Sequence, residues 1–197
     1  KIAMRDLEIR GAGNILGNQQ SGHIAAVGYE LYCQLLENAV RGLKGQARRT
    51  PLKVTVDLPW TAYFPRDYVA GQRQRIEAYR RMARVRGLDR LEDFRKELRD
   101  RYGPPPEPAE WLLRLAELRL LASHWRIGTV HLEKASEAGA PTDVVLGYRN
   151  AKRIKELAER SRGRLVVADE KSAYFRLRPA ETEATALYRA VRGLLRV

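Results

Sequence analysis

The sequence predicts an α+β protein: a helical N-terminal part followed by a small mixed sheet with packed helices. Three observations carry this reading. Apolar residues recur at helical spacing through most of the stretch from residue 22 to residue 125. From Ile127 the texture changes to short runs that read as strands, Gly128 to Glu133, Asp143 to Tyr148, Arg164 to Ala168 and Ala173 to Arg178. An amphipathic helix sits among these strands and another closes the chain, an order that belongs to the α+β class.

Taken in order, Ser21 can cap a helix over about residues 22–44, with Ile24, Val27, Leu31 and Leu35 on one stripe and Gly45 as its stop. Leu52, Val54, Val56 and Leu58 alternate with Lys53, Thr55 and Asp57, which predicts a half-buried strand. Pro59 ends it. Trp60, Tyr63 and Phe64 then suit packing between the strand and the next helix better than stacking on bases. Asp67 stands as the cap of a helix reaching about Arg86, with Val69, Ile76, Tyr79 and Ala83 inward. Its arginines, Arg66, Arg73, Arg75, Arg80, Arg81, Arg84 and Arg86, read as a solvated or partner-contacting face. Asp89 and Glu92 have the spacing of a capping box ahead of a stripe of Leu91, Phe94, Leu98 and Tyr102. The prolines from Pro104 to Pro108 break the chain and launch a helix to about Trp125.

In the final third, a helix over about 150–162 turns Ile154, Leu157 and Ala158 inward, and Arg149, Lys152, Arg153, Lys155, Arg160 and Arg162 outward. Asp169 to Ser172 reads as a tight turn. The last helix, from about Glu181, buries Leu187, Tyr188, Val191, Leu194 and Leu195. Its acids, Glu181 and Glu183, come first and its arginines last, as the helix dipole favours.

Composition narrows the function classes. Hydrophobic residues at 44% can build a core, and a net charge of +13 favours nucleic acid or another acidic partner. No apolar run approaches the ~20 residues of a bilayer span, and no signal peptide is visible, so no membrane partner is expected. The one cysteine, Cys33, can form no internal disulfide, which fits a reducing cytoplasm. His23, His124 and His131 have no ligand spacing with one another or with Cys33, so no metal is expected. With no phosphate loop, no acidic Walker-B-like run and no nucleophile beside a base, the chain is expected to hold no catalytic residue, no cofactor and no ATPase activity.

The densest motif is RDLEIRGAGNILGNQQSG, Arg5 to Gly22. It fails as a dinucleotide fingerprint because Gly17 falls one position late and no apolar strand precedes it. It fails as a P-loop because no Lys-Ser or Lys-Thr follows a glycine at the right spacing. A glycine-shaped loop that presents Arg10 and Gln20 to phosphates or to a neighbouring domain competes with an ordinary connector.

Asp6 to Gly22 closely resembles the translocation motif shared by the transcription-repair coupling factors (the Mfd family) and the branch-migrating helicase RecG. The resemblance implies that Arg10 and Gln20 couple ATP hydrolysis to movement on duplex DNA, while Asp6 and Glu8 hold the loop against a superfamily 2 motor. ATP and Mg would belong to that motor, ahead of Lys1 in a longer protein. The helix ending E-L-R-D-R-Y-G-P-P-P resembles the C-terminal domain of the Mfd family, which RecG lacks after the shared loop. Residues 1–45 would then be the translocation loop and connecting helix, and residues 46–197 a regulatory α+β domain.

In that family the C-terminal domain docks on a UvrB-like module of the same polypeptide and masks the surface that recruits UvrA. Its release couples translocation on stalled RNA polymerase to nucleotide excision repair. Glu97, Asp100 and Arg101, at i, i+3 and i+4, share one face and match the family's docking motif. The plain alternative is intrahelical pairing with Arg95, Lys96 or Arg99. For the chain as a whole, the alternatives are a stand-alone basic nucleic-acid-binding module or the tail of a RecG-like helicase.

Overall fold

The computed structural model describes residues 54–133 and 142–196. Asp6, Glu8, Arg10, Gln20, His23, Cys33, the helix expected over 22–44 and the proposed boundary near residue 45 lie outside the described residues. The elements are β1 (Thr55–Asp57), α1 (Gln72–Arg84), α2 (Leu88–Tyr102), α3 (Glu107–His124), β2 (Ile127–Glu133), β3 (Asp143–Tyr148), α4 (Ala151–Arg160), β4 (Leu165–Val167), β5 (Ser172–Arg176) and α5 (Ala184–Leu195), with a 3-10 turn at Pro179–Glu181. The α+β class holds, with five helices and one mixed five-stranded sheet among the described residues.

The strand order, which the sequence did not reveal, is β1-β2-β3-β5-β4. β1 runs parallel to β2, with Val56 opposite Val130, and every other pair is antiparallel. β3 is central, and its consecutive Val144, Val145 and Leu146 are all buried, as a strand covered on both faces requires. The β4–β5 turn is closed by Asp169, whose Oδ1 accepts from the N–H groups of Lys171 (2.7 Å) and Ser172 (2.9 Å).

α3 is the keystone. It packs on α2, α5, β1 and β2, and nine of its residues are buried, from Ala109 and Trp111 to Leu121 and Ala122. Such a helix is apolar nearly all round because it has neighbours nearly all round. Trp60 stacks on Trp111 with ring centroids 4.7 Å apart, and Phe64 is also buried, whereas Tyr63 is exposed. The aromatic extension after β1 is thus core packing.

Three helix starts differ from the sequence reading. Asp67 does not cap α1; the helix begins five residues later, with Gly71 at the N-cap. The reason is Arg75, whose Nη1 donates to the carbonyls of Val69 (2.7 Å) and Ala70 (3.1 Å), so the preceding turn is satisfied without joining the helix. Arg75 is therefore buried rather than part of a solvated face. Asp89 lies inside the first turn of α2, behind Gly87 at the N-cap and without a capping bond, and Glu92 pairs with Arg95 at 3.6 Å. Glu181 does not open the last helix. It sits in the 3-10 turn, accepting from the Arg178 N–H (2.8 Å) and from the Arg164 guanidinium.

Candidate docking surface

The burial of Leu91, Phe94 and Leu98 against the core fixes the rotation of α2. Steps of about 100° per residue then put Glu97 at the edge of the buried stripe and Asp100 further toward solvent. The C-terminal end of α2 is held by Tyr68, whose hydroxyl donates to the carbonyls of Gly103 (3.0 Å) and Leu98 (3.3 Å). Gly103 takes φ 81°, the left-handed conformation of a helix stop. Burial pushes the Tyr68 hydroxyl pKa up, so it remains a donor to those carbonyls.

Glu97 and Arg101 are brought together, with Arg101 Nη1 3.3 Å from Glu97 Oε1. The main partner of Glu97 comes from another helix: Arg81 on α1 forks onto both carboxylate oxygens. None of Arg95, Lys96 and Arg99 pairs with Glu97 among the described residues. The Arg81 guanidinium also lies over the Phe94 ring, 5.6 Å from its centroid. Hydrogen bonding from Arg81 is the largest influence on Glu97 and holds its carboxyl below the usual range; the same bond raises Arg81. Asp100 is exposed and joins no ion pair among the described residues, while the Arg101 side chain is 62% exposed. A shallow cleft between α1 and α2 is floored by Ala78, Phe94, Leu98 and Tyr102 and rimmed by Gln74, Glu77, Arg81, Glu97 and Arg101.

The three predicted residues are thus unequal. Asp100 and Arg101 are available charges of opposite sign, and Glu97 is a half-buried anchor between two arginines. The sequence gives no local sign of Arg81, because the contact joins residues 16 apart across two helices. Tyr68, 35 residues from Gly103, was equally hidden.

A pH dependence follows. The folded pKa of Glu97 lies below its unfolded value, so its stabilisation is fully present above the unfolded pKa of about 4.3 and is lost as pH falls through the folded value. Glu181 acts in the same direction: burial pushes its carboxyl up, but the Arg178 N–H and Arg164 outweigh this. Urea unfolding should show Glu97→Gln less stable than the parent by about 1 kcal/mol at pH 7. The gap should narrow as pH falls below that unfolded value, and an equal gap at pH 7 and in acid would defeat this account.

A TRCF domain family model matches residues 58–142, a stretch that contains all of α1, α2 and α3. Transcription-repair-coupling factors from Mycobacterium tuberculosis (strain CDC 1551 / Oshkosh) and Myxococcus xanthus are 46% identical over 131 residues and 38% identical over 167 residues. These alignments cover 61% and 82% of this chain, and 11% and 13% of those proteins. A crystal structure of the C-terminal domain of transcription-repair coupling factor superposes with a TM-score of 0.58 at 17% identity, covering 73% of this chain and 90% of that one. The chain belongs to the transcription-repair coupling factors.

Its fold is that of the C-terminal domain of these factors. The chain spans little more than a tenth of the length of the relatives it matches. In coupling-factor terms, Glu97, Asp100 and Arg101 lie within the stretch that the family model matches. No helix among the described residues is long and apolar enough to cross a membrane.

Proposed function

We propose that this chain supplies the regulatory end of a DNA translocase that couples stalled transcription to nucleotide excision repair. The described domain docks on the UvrB-like module of its own polypeptide and so withholds the surface that recruits UvrA. Arg10 and Gln20, steadied by Asp6 and Glu8, transmit ATP hydrolysis in the motor to movement on duplex DNA near RNA polymerase. ATP and Mg serve the motor and not this domain.

The observation that favours docking is the charge arrangement at the end of α2: exposed Asp100 and Arg101 beside a carboxylate anchored by Arg81. A contact made from exposed ion pairs, each worth ~0–1 kcal/mol, is strong enough to hold a tethered domain and weak enough to release it. The test is binding of this chain to the isolated UvrB-like module by calorimetry. The Glu97→Gln, Asp100→Ala, Arg101→Ala variant should bind at least ~10-fold more weakly, with Asp100→Ala and Arg101→Ala altering stability by less than ~0.5 kcal/mol. Undiminished affinity in the triple variant would refute the assignment.

A further inference from the structure

Charge is not evenly spread over this domain. Ion pairs tie α1 to α2 and α2 to α3, brace the β3–β5 strands and join α3 to α5. In contrast, Arg126, Arg149, Arg153 and Arg160 join no ion pair among the described residues, and contacts around the α3–β2 junction bring the four together. The Arg149 N–H donates to the Arg126 carbonyl at 3.1 Å, which places the α3–β2 junction beside the entry to α4. Arg153 Nη1 donates to the His124 carbonyl at 2.9 Å, and the Arg160 guanidinium lies 5.5 Å from the Trp125 ring centroid. Arg153 and Arg160, two turns apart, therefore lie along the same flank of α4, about 10 Å apart along its axis, the rise of about three base pairs.

Arg126 breaks a local rule. It follows the end of α3 with φ 59°, in the left-handed region where glycine is the usual choice and where another L-residue is strained. An arginine stands there, exposed and without an ion pair among the described residues, although glycine would suit the backbone better. A local preference overridden without a packing return marks a side chain used for something else.

We propose that this side of the domain binds the phosphate backbone of duplex DNA without reading sequence. Guanidinium forks suit phosphate oxygens. The Trp125 indole is 2% exposed and so is not offered for stacking on unpaired bases, which favours duplex over single strands. The large exposed apolar side chains, Tyr63, Leu88 and Val166, lie on other elements, so nothing here inserts into a lipid surface. Glu156, on the same flank between Arg153 and Arg160, limits the attraction. This inference is independent of the docking surface on α2 and would survive its failure.

The test is fluorescence anisotropy of a labelled 20-base-pair duplex of arbitrary sequence, titrated with the 197-residue chain across a salt series. Arg126→Gln, Arg149→Gln, Arg160→Gln together should weaken binding ~10-fold or more and reduce the slope of log K against log salt by about 2–3. Arg73→Gln, Arg84→Gln, Arg99→Gln, an equal change of charge on α1 and α2, should leave that slope nearly unaltered. Glu156→Gln should tighten binding. Arg126→Gly should raise the thermal midpoint while weakening binding, a pairing that loss of folding cannot produce. Equal losses in the two triple variants would overturn the proposal in favour of diffuse charge. Failure of the parent chain to bind, or equal competition by polyglutamate of matched charge, would also overturn it.

Discussion

Trp111→Ala should destabilise the described domain by about 3–5 kcal/mol, a large share of the stability of a domain this size. Trp111 stands on α3, where its ring stacks on Trp60 from the segment after β1 and meets Tyr188 of α5 edge-on at 6.3 Å. Tyr188 also meets Trp60 edge-on at the same distance, so three elements distant in sequence close one aromatic cluster. The Arg114 guanidinium covers it, 4.5 Å from the Trp111 ring centroid and 5.3 Å from that of Tyr188. Truncation removes the shared partner of all three groups and opens a cavity that none can fill alone. One effect runs the other way. Trp60 Nε1 is buried without a hydrogen-bond partner among the described residues, and water entering the cavity would satisfy it, offsetting about 1 kcal/mol. Trp111→Phe keeps most of the stack and should cost under half as much. Urea unfolding at pH 7 checks both, and a loss below about 1.5 kcal/mol for Trp111→Ala would show that the cluster is not what joins α3 to its neighbours.

The elements were largely legible because their signals are local. The short apolar run from Asp143 to Tyr148 marked β3 to the residue, and the stripe of Leu91, Phe94 and Leu98 marked the buried face of α2. What was hidden depends on partners far along the chain. Arg75 reads as one more surface arginine until the folded-back turn hands it two carbonyls. The acid at position 181 reads as a helix opener until Arg164, 17 residues earlier, captures it. The three candidate docking residues were legible as a set on one helix but their surroundings were not. Helical spacing gathers Glu97, Asp100 and Arg101 on one face, whereas the division into a carboxylate anchored from another helix and two more exposed charges comes from Arg81 on α1. Strand order was out of reach for the same reason, since parallel pairing of β1 with β2 joins Thr55 to Thr129 across the whole helical part.

The same long-range logic makes Glu117 a costly charge to remove. Its side chain is 13% exposed; one carboxylate oxygen accepts from the Tyr188 hydroxyl and the other from Arg192 Nε at 2.6 Å. These two bonds tie α3 to α5 across about 70 residues of intervening sequence and set the ring of Tyr188 against Trp60 and Trp111. Burial first, and the bond to Glu117 second, push the Tyr188 pKa well above that of a free phenol, so its hydroxyl remains a donor throughout the neutral range. The Arg192 side chain is 36% exposed and can turn to water if abandoned, whereas the partly buried Tyr188 hydroxyl has less access to water while its ring stays packed. Glu117→Ala should therefore cost about 2–3 kcal/mol, and Glu117→Gln, which keeps an acceptor for the hydroxyl, about 1 kcal/mol. A double-mutant cycle with Tyr188→Phe isolates the bond. Because Phe leaves no stranded hydroxyl, Glu117→Ala should be milder in the Tyr188→Phe background by about 1 kcal/mol or more. Strict additivity would mean that the carboxylate acts only through Arg192, and the tie between α3 and α5 would then be an ordinary half-exposed ion pair that high salt should weaken.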